Sequence, residues 1–128
     1  MPPPLVLIVD DDMRLTAYLA RRLDVPCSTA STLRGGLELA RILQPLVIVL
    51  DDRLPDGRGL WSLVDFFDVK PDALIIMLSG YMSDHEVQIA LDGGVIMVLD
   101  KVDIDHLRRW VEILIARGER IHQRRAFH

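Results

Sequence analysis

Four groups of residues in this chain could do chemistry together. Asp10, Asp11 and Asp12 follow one apolar run, and Asp51 and Asp52 follow another. Ser79 and Gly80 end a third run, and Asp100 and Lys101 a fourth. Carboxylates brought close repel one another, and each has its pKa raised unless a cation compensates. A hard divalent cation with oxygen ligands does so. Mg²⁺ fits best, because it takes one or two carboxylates, keeps waters and shares a phosphate oxygen. A lysine and a hydroxyl beside such an ion have an anionic target in a phosphoryl group. Each group also has an ordinary reading when taken singly. Asp10–Asp12 would serve as a helix N-cap with a solvated acidic first turn. Asp51 and Asp52 would form a turn before Pro55, Asp56 and Gly57. Ser79–Gly80 would simply end a strand, and Lys101 would be a surface lysine. Their co-occurrence at successive strand ends separates the two readings.

The elements that must position them follow from the apolar pattern. Leu5–Val9, Leu46–Leu50 and Leu74–Leu78 are short runs of Val, Ile and Leu bounded by Pro, Asp, Ser or Gly. Continuous rather than alternating apolar character predicts strands covered on both faces, as in a parallel sheet. Val95–Leu99 reads as a further strand, and the more polar Val25–Ala30 as an edge strand. Helical periodicity lies between them. Met13–Leu23 aligns Leu15, Leu19 and Leu23, and Thr32–Leu43 aligns Leu33, Leu37 and Ala40 behind Ser31 as N-cap. Leu60–Phe67 places Leu60, Val64 and Phe67 on one side. Ser83–Glu86 fits a capping box opening a helix that Gly93 closes. A last helix starts near Asp103 with Ile104, Leu107, Val111 and Leu114 inward. Strand and helix alternate five times, which predicts an α/β fold with a doubly wound five-stranded parallel sheet. Ligands of such sheets sit at the carboxyl ends of the strands, where all four chemical groups lie.

With 128 residues, half of them hydrophobic and 27% charged, the chain suffices for one domain with a real core. Its net charge of −4 gives no reason to expect nucleic-acid or membrane binding. The start MPPPLVLIVDDD has no basic region before its short apolar run, so neither a signal peptide nor a membrane span is expected there. The expected setting is the cytoplasm. Cys27 is alone and reads as a small edge-strand residue. Trp61, Phe66, Phe67 and Trp110 read as packing residues. His85, His106, His122 and His128 show no ligand spacing.

The strand-end constellation resembles the receiver domain of two-component response regulators, over essentially the whole chain. The resemblance implies a flavodoxin-like fold with strand order 2-1-3-4-5. It places an acidic pair after strand one, here Asp10 and Asp11, and a phosphoacceptor aspartate four residues before a loop proline. Counting back from Pro55 selects Asp51; Asp52 points to the other side of an extended segment. The remaining roles fall on Ser79, followed by small Gly80, and on Lys101. By the same resemblance, Asp51 is the nucleophile, and Mg²⁺ is held by Asp11, Asp51, the Arg53 backbone carbonyl and water. Asp10 orients a metal-bound water, while Lys101 and Ser79 contact phosphoryl oxygens. Arg53 and Tyr81 flank the site and are large enough to shield an acyl phosphate from water. Implied partners are a sensor histidine kinase or phosphotransfer protein, with a homodimer as a further expectation. The domain would catalyse its own phosphorylation and dephosphorylation without being an enzyme for an external substrate.

Two positions depart from the family pattern. Val98 stands where an aromatic residue usually lies, three positions before the lysine, so the usual inward swing of a ring has no counterpart. Val102 stands where proline usually follows the lysine. A cis bond before a non-proline costs about 3 kcal/mol, so a trans bond is expected. These departures motivate an alternative, a receiver-like adaptor working by protein–protein contacts without phosphorylation. A Mg²⁺-dependent aspartyl phosphatase is disfavoured, because Arg53 stands where a second aspartate would serve as acid/base. A flavodoxin-like redox carrier is disfavoured by the carboxylate rim. The receiver domain is expected over residues 1–118, with residues 119–128 a basic tail or start of a linker. If the last helix continued past Gly118, its stripe through Ile121 could pair two subunits.

Overall fold

The computed structural model describes residues 5–126, with side chains described through residue 119. The Pro2–Pro4 lead, His128 and the side chain of His122 lie outside that description. Strands β1 (Val6–Val9), β2 (Cys27–Ala30), β3 (Val47–Asp51), β6 (Leu74–Leu78) and β7 (Met97–Leu99) form one parallel sheet in the order β2-β1-β3-β6-β7. Counting only these strands, the order is 2-1-3-4-5, as expected. Helices α1 (Met13–Arg22), α2 (Leu33–Leu43), α3 (Leu63–Val69), α4 (Asp84–Asp92) and α5 (Ile104–Ala126) connect and follow them. A two-stranded antiparallel hairpin, β4 (Arg53–Leu54) with β5 (Gly57–Arg58), interrupts the loop after β3. The alternation of five strands with five helices did not foretell it.

The core divides at the sheet. Leu7, Val9, Ile48, Leu50, Ile75 and Met77 pack against α2, α3 and α4, while Val6, Ile8, Val47, Val49, Ile76 and Leu78 pack against α1 and α5. Period-two alternation sends successive side chains to opposite layers, so every central strand must be apolar throughout. Fully burying one such side chain stabilises the fold by about 1.5–3 kcal/mol. Edge strand β2 is only partly buried, as its polar residues require.

Several local readings need correction. Thr32, not Ser31, caps α2, its hydroxyl accepting the Gly35 N–H at 3.0 Å. The segment before α3 is a 3₁₀ turn, Gly59–Ser62. The tighter turn shifts the register in which α3 begins, so Leu60, Leu63 and Phe66 are buried and Val64 is 80% exposed. The same register leaves Trp61 62% exposed, with the Arg58 guanidinium 5.9 Å over its ring, so Trp61 is not a core residue. Phe66, Phe67 and Trp110 do pack against the core. The capping box of Ser83 and Glu86 opens α4 and Gly93 closes it, as expected.

Helix α5 continues past Gly118 to Ala126. A Cβ at Gly118 would lie 2.7–2.9 Å from the Leu46 side chain, so Gly118 faces the domain's own core, while the side chain of Ile121 lies outside the described residues. Among the described residues no peptide bond is cis, which includes Lys101–Val102. No described helix is long and apolar enough to cross a membrane.

Candidate functional site

The pleat of β3 decides what its two terminal aspartates meet. Asp51 continues the Val47–Val49 side toward α1 and α5, and Asp52 continues the Ile48–Leu50 side. Both are buried, at 3% and 1% exposure.

The Asp10–Asp12 run separates into three jobs. Asp12 caps α1, accepting the N–H groups of Arg14 at 3.1 Å and Leu15 at 3.2 Å. The capping reading thus holds for Asp12 alone. Asp11 is exposed at the rim. Asp10 is 2% exposed, and its Oδ1 accepts the Asp12 N–H at 2.9 Å.

Lys101 reaches in from the end of β7. Its ammonium lies 3.0 Å from Asp51 Oδ2 and 3.1 Å from Asp10 Oδ2, and donates to Asp10 Oδ1 at 3.2 Å. Asp10 Oδ2 and Asp51 Oδ2 are within ion-pair distance of that nitrogen, yet neither accepts an aligned hydrogen bond. Two buried carboxylate oxygens with lone pairs to spare are an unfinished coordination shell. Asp10, Asp11 and Asp51 each place one oxygen within 4.8 Å of the others, the one such acidic cluster among the described residues. The donor set is all oxygen and fits a hard divalent cation.

The electrostatics agree. Burial pushes the Asp51 carboxyl up to about 6, with the adjacent Lys101 ammonium opposing the shift and the Asp10 charge adding to it. Burial would lower the Lys101 ammonium, but the neighbouring carboxylates of Asp51 and Asp10 outweigh that and hold it above the usual lysine range.

Ser79 follows β6, its backbone fixed by an N–H donated to Leu99 O at 3.0 Å. Its hydroxyl oxygen accepts the N–H groups of Tyr81 (3.1 Å) and Met82 (3.0 Å), leaving its proton free to be donated. A Cβ at Gly80 would meet nothing within 4 Å, so that side of the site is open. Asp11, Asp51, Arg53, Ser79, Gly80 and Lys101 line one pocket of about 430 Å³ with Asp52, Tyr81, Asp100 and Val102. Asp10 meets it from beneath, through Lys101. All six site residues expected from the sequence therefore converge. Arg53 and Tyr81 also meet, the guanidinium 5.9 Å over the ring at the pocket's edge.

Sequence reasoning passed over Arg58, and read Glu86 only as half of a capping box and Asp56 only as a turn residue. Arg58 binds Asp52 through Nη2 (2.6 Å) and Nε (3.2 Å), and Glu86 through Nη1 (2.6 Å). Asp56 accepts the N–H groups of Leu33 (2.8 Å) and Arg34 (3.0 Å) at the start of α2. A signal existed for Arg58, because a buried strand-end aspartate demands a partner.

No protein-family model matches the chain. It is 30% identical over 118 residues to the photosynthetic apparatus regulatory protein RegA of Rhodobacter capsulatus, covering 89% of this chain and 62% of that one. The chain thus spans under two thirds of that relative's length. A response regulator from Burkholderia pseudomallei, solved with a phosphorylated aspartic acid, calcium ion and citrate, superposes with a TM-score of 0.75 at 25% identity. That match covers 95% of this chain and 72% of that one. The beryllofluoride-activated NtrC4 receiver domain dimer matches with a TM-score of 0.79 at 27% identity, covering 88% and 97%. With the sheet order and the acidic site already in place, these likenesses are decisive: the chain belongs to the response-regulator receiver-domain family.

Proposed function

We propose that this domain is a phosphoacceptor switch in which Asp51 takes the phosphoryl group with the help of Mg²⁺. The observation that carries the reading is the Lys101 ammonium set between Asp10 and Asp51, whose Oδ2 atoms still lack aligned donors. Asp51, as carboxylate, attacks phosphorus. The new O–P bond makes an acyl phosphate as the P–N bond of a phosphohistidine donor breaks, its electron pair returning to the imidazole. A small acyl phosphate would serve equally, its P–O bond breaking instead. Lys101 neutralises one phosphoryl oxygen, and the free proton of Ser79 is available to another. Asp11, Asp51 and the Arg53 carbonyl would hold Mg²⁺ while Asp10 orients a bound water; the ion would supply charge neutralisation on the transferring group. Arg53 and Tyr81, stacked at the edge, restrict water's access to the acyl phosphate and favour a long-lived phosphorylated state.

The phosphodonor is a sensor histidine kinase or phosphotransfer protein in the cytoplasm. The domain catalyses its own phosphoryl transfer and dephosphorylation rather than turnover of an external substrate. We place the receiver unit at residues 1–118, because Gly118 is the last described α5 residue seated on the domain, against Leu46. Residues 119–128 would then be a basic tail or linker start. A homodimer, like that of the NtrC4 relative, is a further proposal.

The test is intact mass after incubation with Mg²⁺ and acetyl phosphate, beside Asp51→Asn and a chelator control. A single phosphoryl adduct absent from both controls is expected. An unmodified mass, with no spectral change on adding beryllofluoride, would replace this reading with the phosphorylation-independent adaptor that Val98 and Val102 suggest.

A further inference from the structure

Asp52 stands beside the phosphoacceptor but belongs to a different network. Its Oδ2 accepts two hydrogen bonds from Arg58 and its Oδ1 accepts the Leu60 N–H at 3.0 Å. The same guanidinium donates to Glu86 Oε2 at 2.6 Å. Glu86 is no free surface residue. Its Oε1 accepts the Ser83 N–H at 3.2 Å, closing the capping box that opens α4. One planar fork thus spans from the residue next to Asp51 to the first turn of α4.

Both ends of this bridge are stiff. The Gly59 N–H donates to Asp52 O at 2.7 Å, and a Cβ at Gly59 would lie 2.5 Å from Asp51 O. The backbone at Gly59, where the 3₁₀ turn begins, is therefore pressed onto the Asp51 peptide and moves with it. At the other end, the Ser79 hydroxyl accepts the N–H groups of Tyr81 and Met82, in the short loop leading to Ser83. The entry to α4 has two tethers, Ser79 on the loop before it and Arg58 on its first turn. Each begins at a residue in or beside the site.

We propose that Arg58, held between Asp52 and Glu86, is a positioning residue that couples occupancy of Asp51 to the placement of α4. The inference rests on the phosphoacceptor reading of Asp51 given above. Extra bulk and charge on Asp51 displace the 51–53 backbone. Asp52 carries that displacement to the guanidinium, and the guanidinium carries it to Glu86. Arginine suits the role because its planar fork presents donors to two carboxylates in one rigid geometry, whereas a lysine ammonium is a point charge on a flexible stem.

The test follows backbone amide resonances of the full chain with Mg²⁺, without and with beryllofluoride, in the wild type, Glu86→Gln and Arg58→Lys. Glutamine at this position still completes a capping box, so Glu86→Gln removes the ion pair and keeps the helix start. In the wild type, amides of residues 51–53 and of residues 84–92 are expected to shift together. In both variants the response at 51–53 should persist while the response across 84–92 falls at least twofold. A full α4 response in both variants overturns the coupling. Silence at 51–53 in the wild type overturns the phosphoacceptor reading itself, and the coupling with it.

Discussion

Asp51 and Asp52 are adjacent, equally buried and oppositely treated. Asp52 has three donors within 3.2 Å, two of them from a guanidinium. Asp51 has an ammonium at 3.0 Å, a long contact to the Arg53 N–H at 3.5 Å, and an Oδ2 with no aligned donor. Saturation makes Asp52 a structural fixture. Incomplete satisfaction leaves Asp51 with electron pairs for a cation and a phosphorus atom. One strand end thus supplies a rigid anchor and a reactive group from consecutive residues, because the pleat sends them to different faces.

The most direct way to break that comparison is to remove the partner of Asp52. Arg58→Met should destabilise the fold by about 3 kcal/mol, since a buried carboxylate loses its counter-charge. The added change Asp52→Asn should recover most of the loss. Urea unfolding of the single and double variants decides it, and a single-variant cost under about 1 kcal/mol would mean that Asp52 is not anchored by charge.

Removing the charge at Asp51 should do the opposite. Its folded pKa of about 6 lies above the ordinary carboxylate value near 4. The native state therefore holds this proton more tightly than the unfolded chain, and wild-type stability falls as pH rises from about 4 to 6. Asp51→Asn does not titrate, so its advantage should grow through that window and level off above it. Two pKa units correspond to about 2.7 kcal/mol. The asparagine also gives up the Lys101 ion pair, so a gain of about 1–2 kcal/mol at pH 7.5 is expected. Thermal melts of both proteins at pH 4 and 7.5 measure it; a variant less stable than wild type at pH 7.5 contradicts the raised pKa.

Most of the sheet, and the meeting of polar groups at its strand ends, were legible because both rest on strong local signals. Unbroken Val/Ile/Leu runs mark strands covered twice, and polar groups at their ends mark the rim. What escaped depended on geometry beyond periodicity. The segment Gly59–Ser62 winds at three residues per turn, so an α-helical spacing put Val64 inside where Leu63 belongs. Asp56 looked like a turn former and is also a cap for a helix more than twenty residues earlier in the chain. That Asp52 needs a partner was legible, but not that Arg58 is the partner, because its two carboxylates lie six residues before it and twenty-eight after it, distances that only the fold closes.

The site's vacant lone pairs make a sharper prediction about metal. A divalent cation competes with a proton for Asp51, so its apparent affinity should rise as pH passes through about 6. For one proton with that pKa, Mg²⁺ should bind about tenfold more tightly at pH 7 than at pH 5, or about 1.4 kcal/mol. Titration followed by tryptophan fluorescence or amide shifts tests it. A pH-independent affinity would place the cation away from Asp51.

The smallest effect concerns Asp56, a carboxylate of the same loop that is fully engaged, like Asp52, but exposed. The Leu33 and Arg34 N–H groups hold its carboxyl below the usual range, so its contribution should be present above about pH 4 and fade as pH falls through the lowered folded value. Asp56→Ala removes a cap from α2 and should cost about 1 kcal/mol at pH 7, less at pH 3. Asp51→Asn should change Mg²⁺ affinity severely, whereas Asp56→Ala should leave it unchanged within twofold. Asp51 ends β3 and Asp56 lies on the hairpin just after it, so proximity in sequence cannot explain such a split. If Asp56→Ala also weakened Mg²⁺, the hairpin would be transmitting strain from α2 to the site, and the division between anchoring and reactive carboxylates would not hold across this loop.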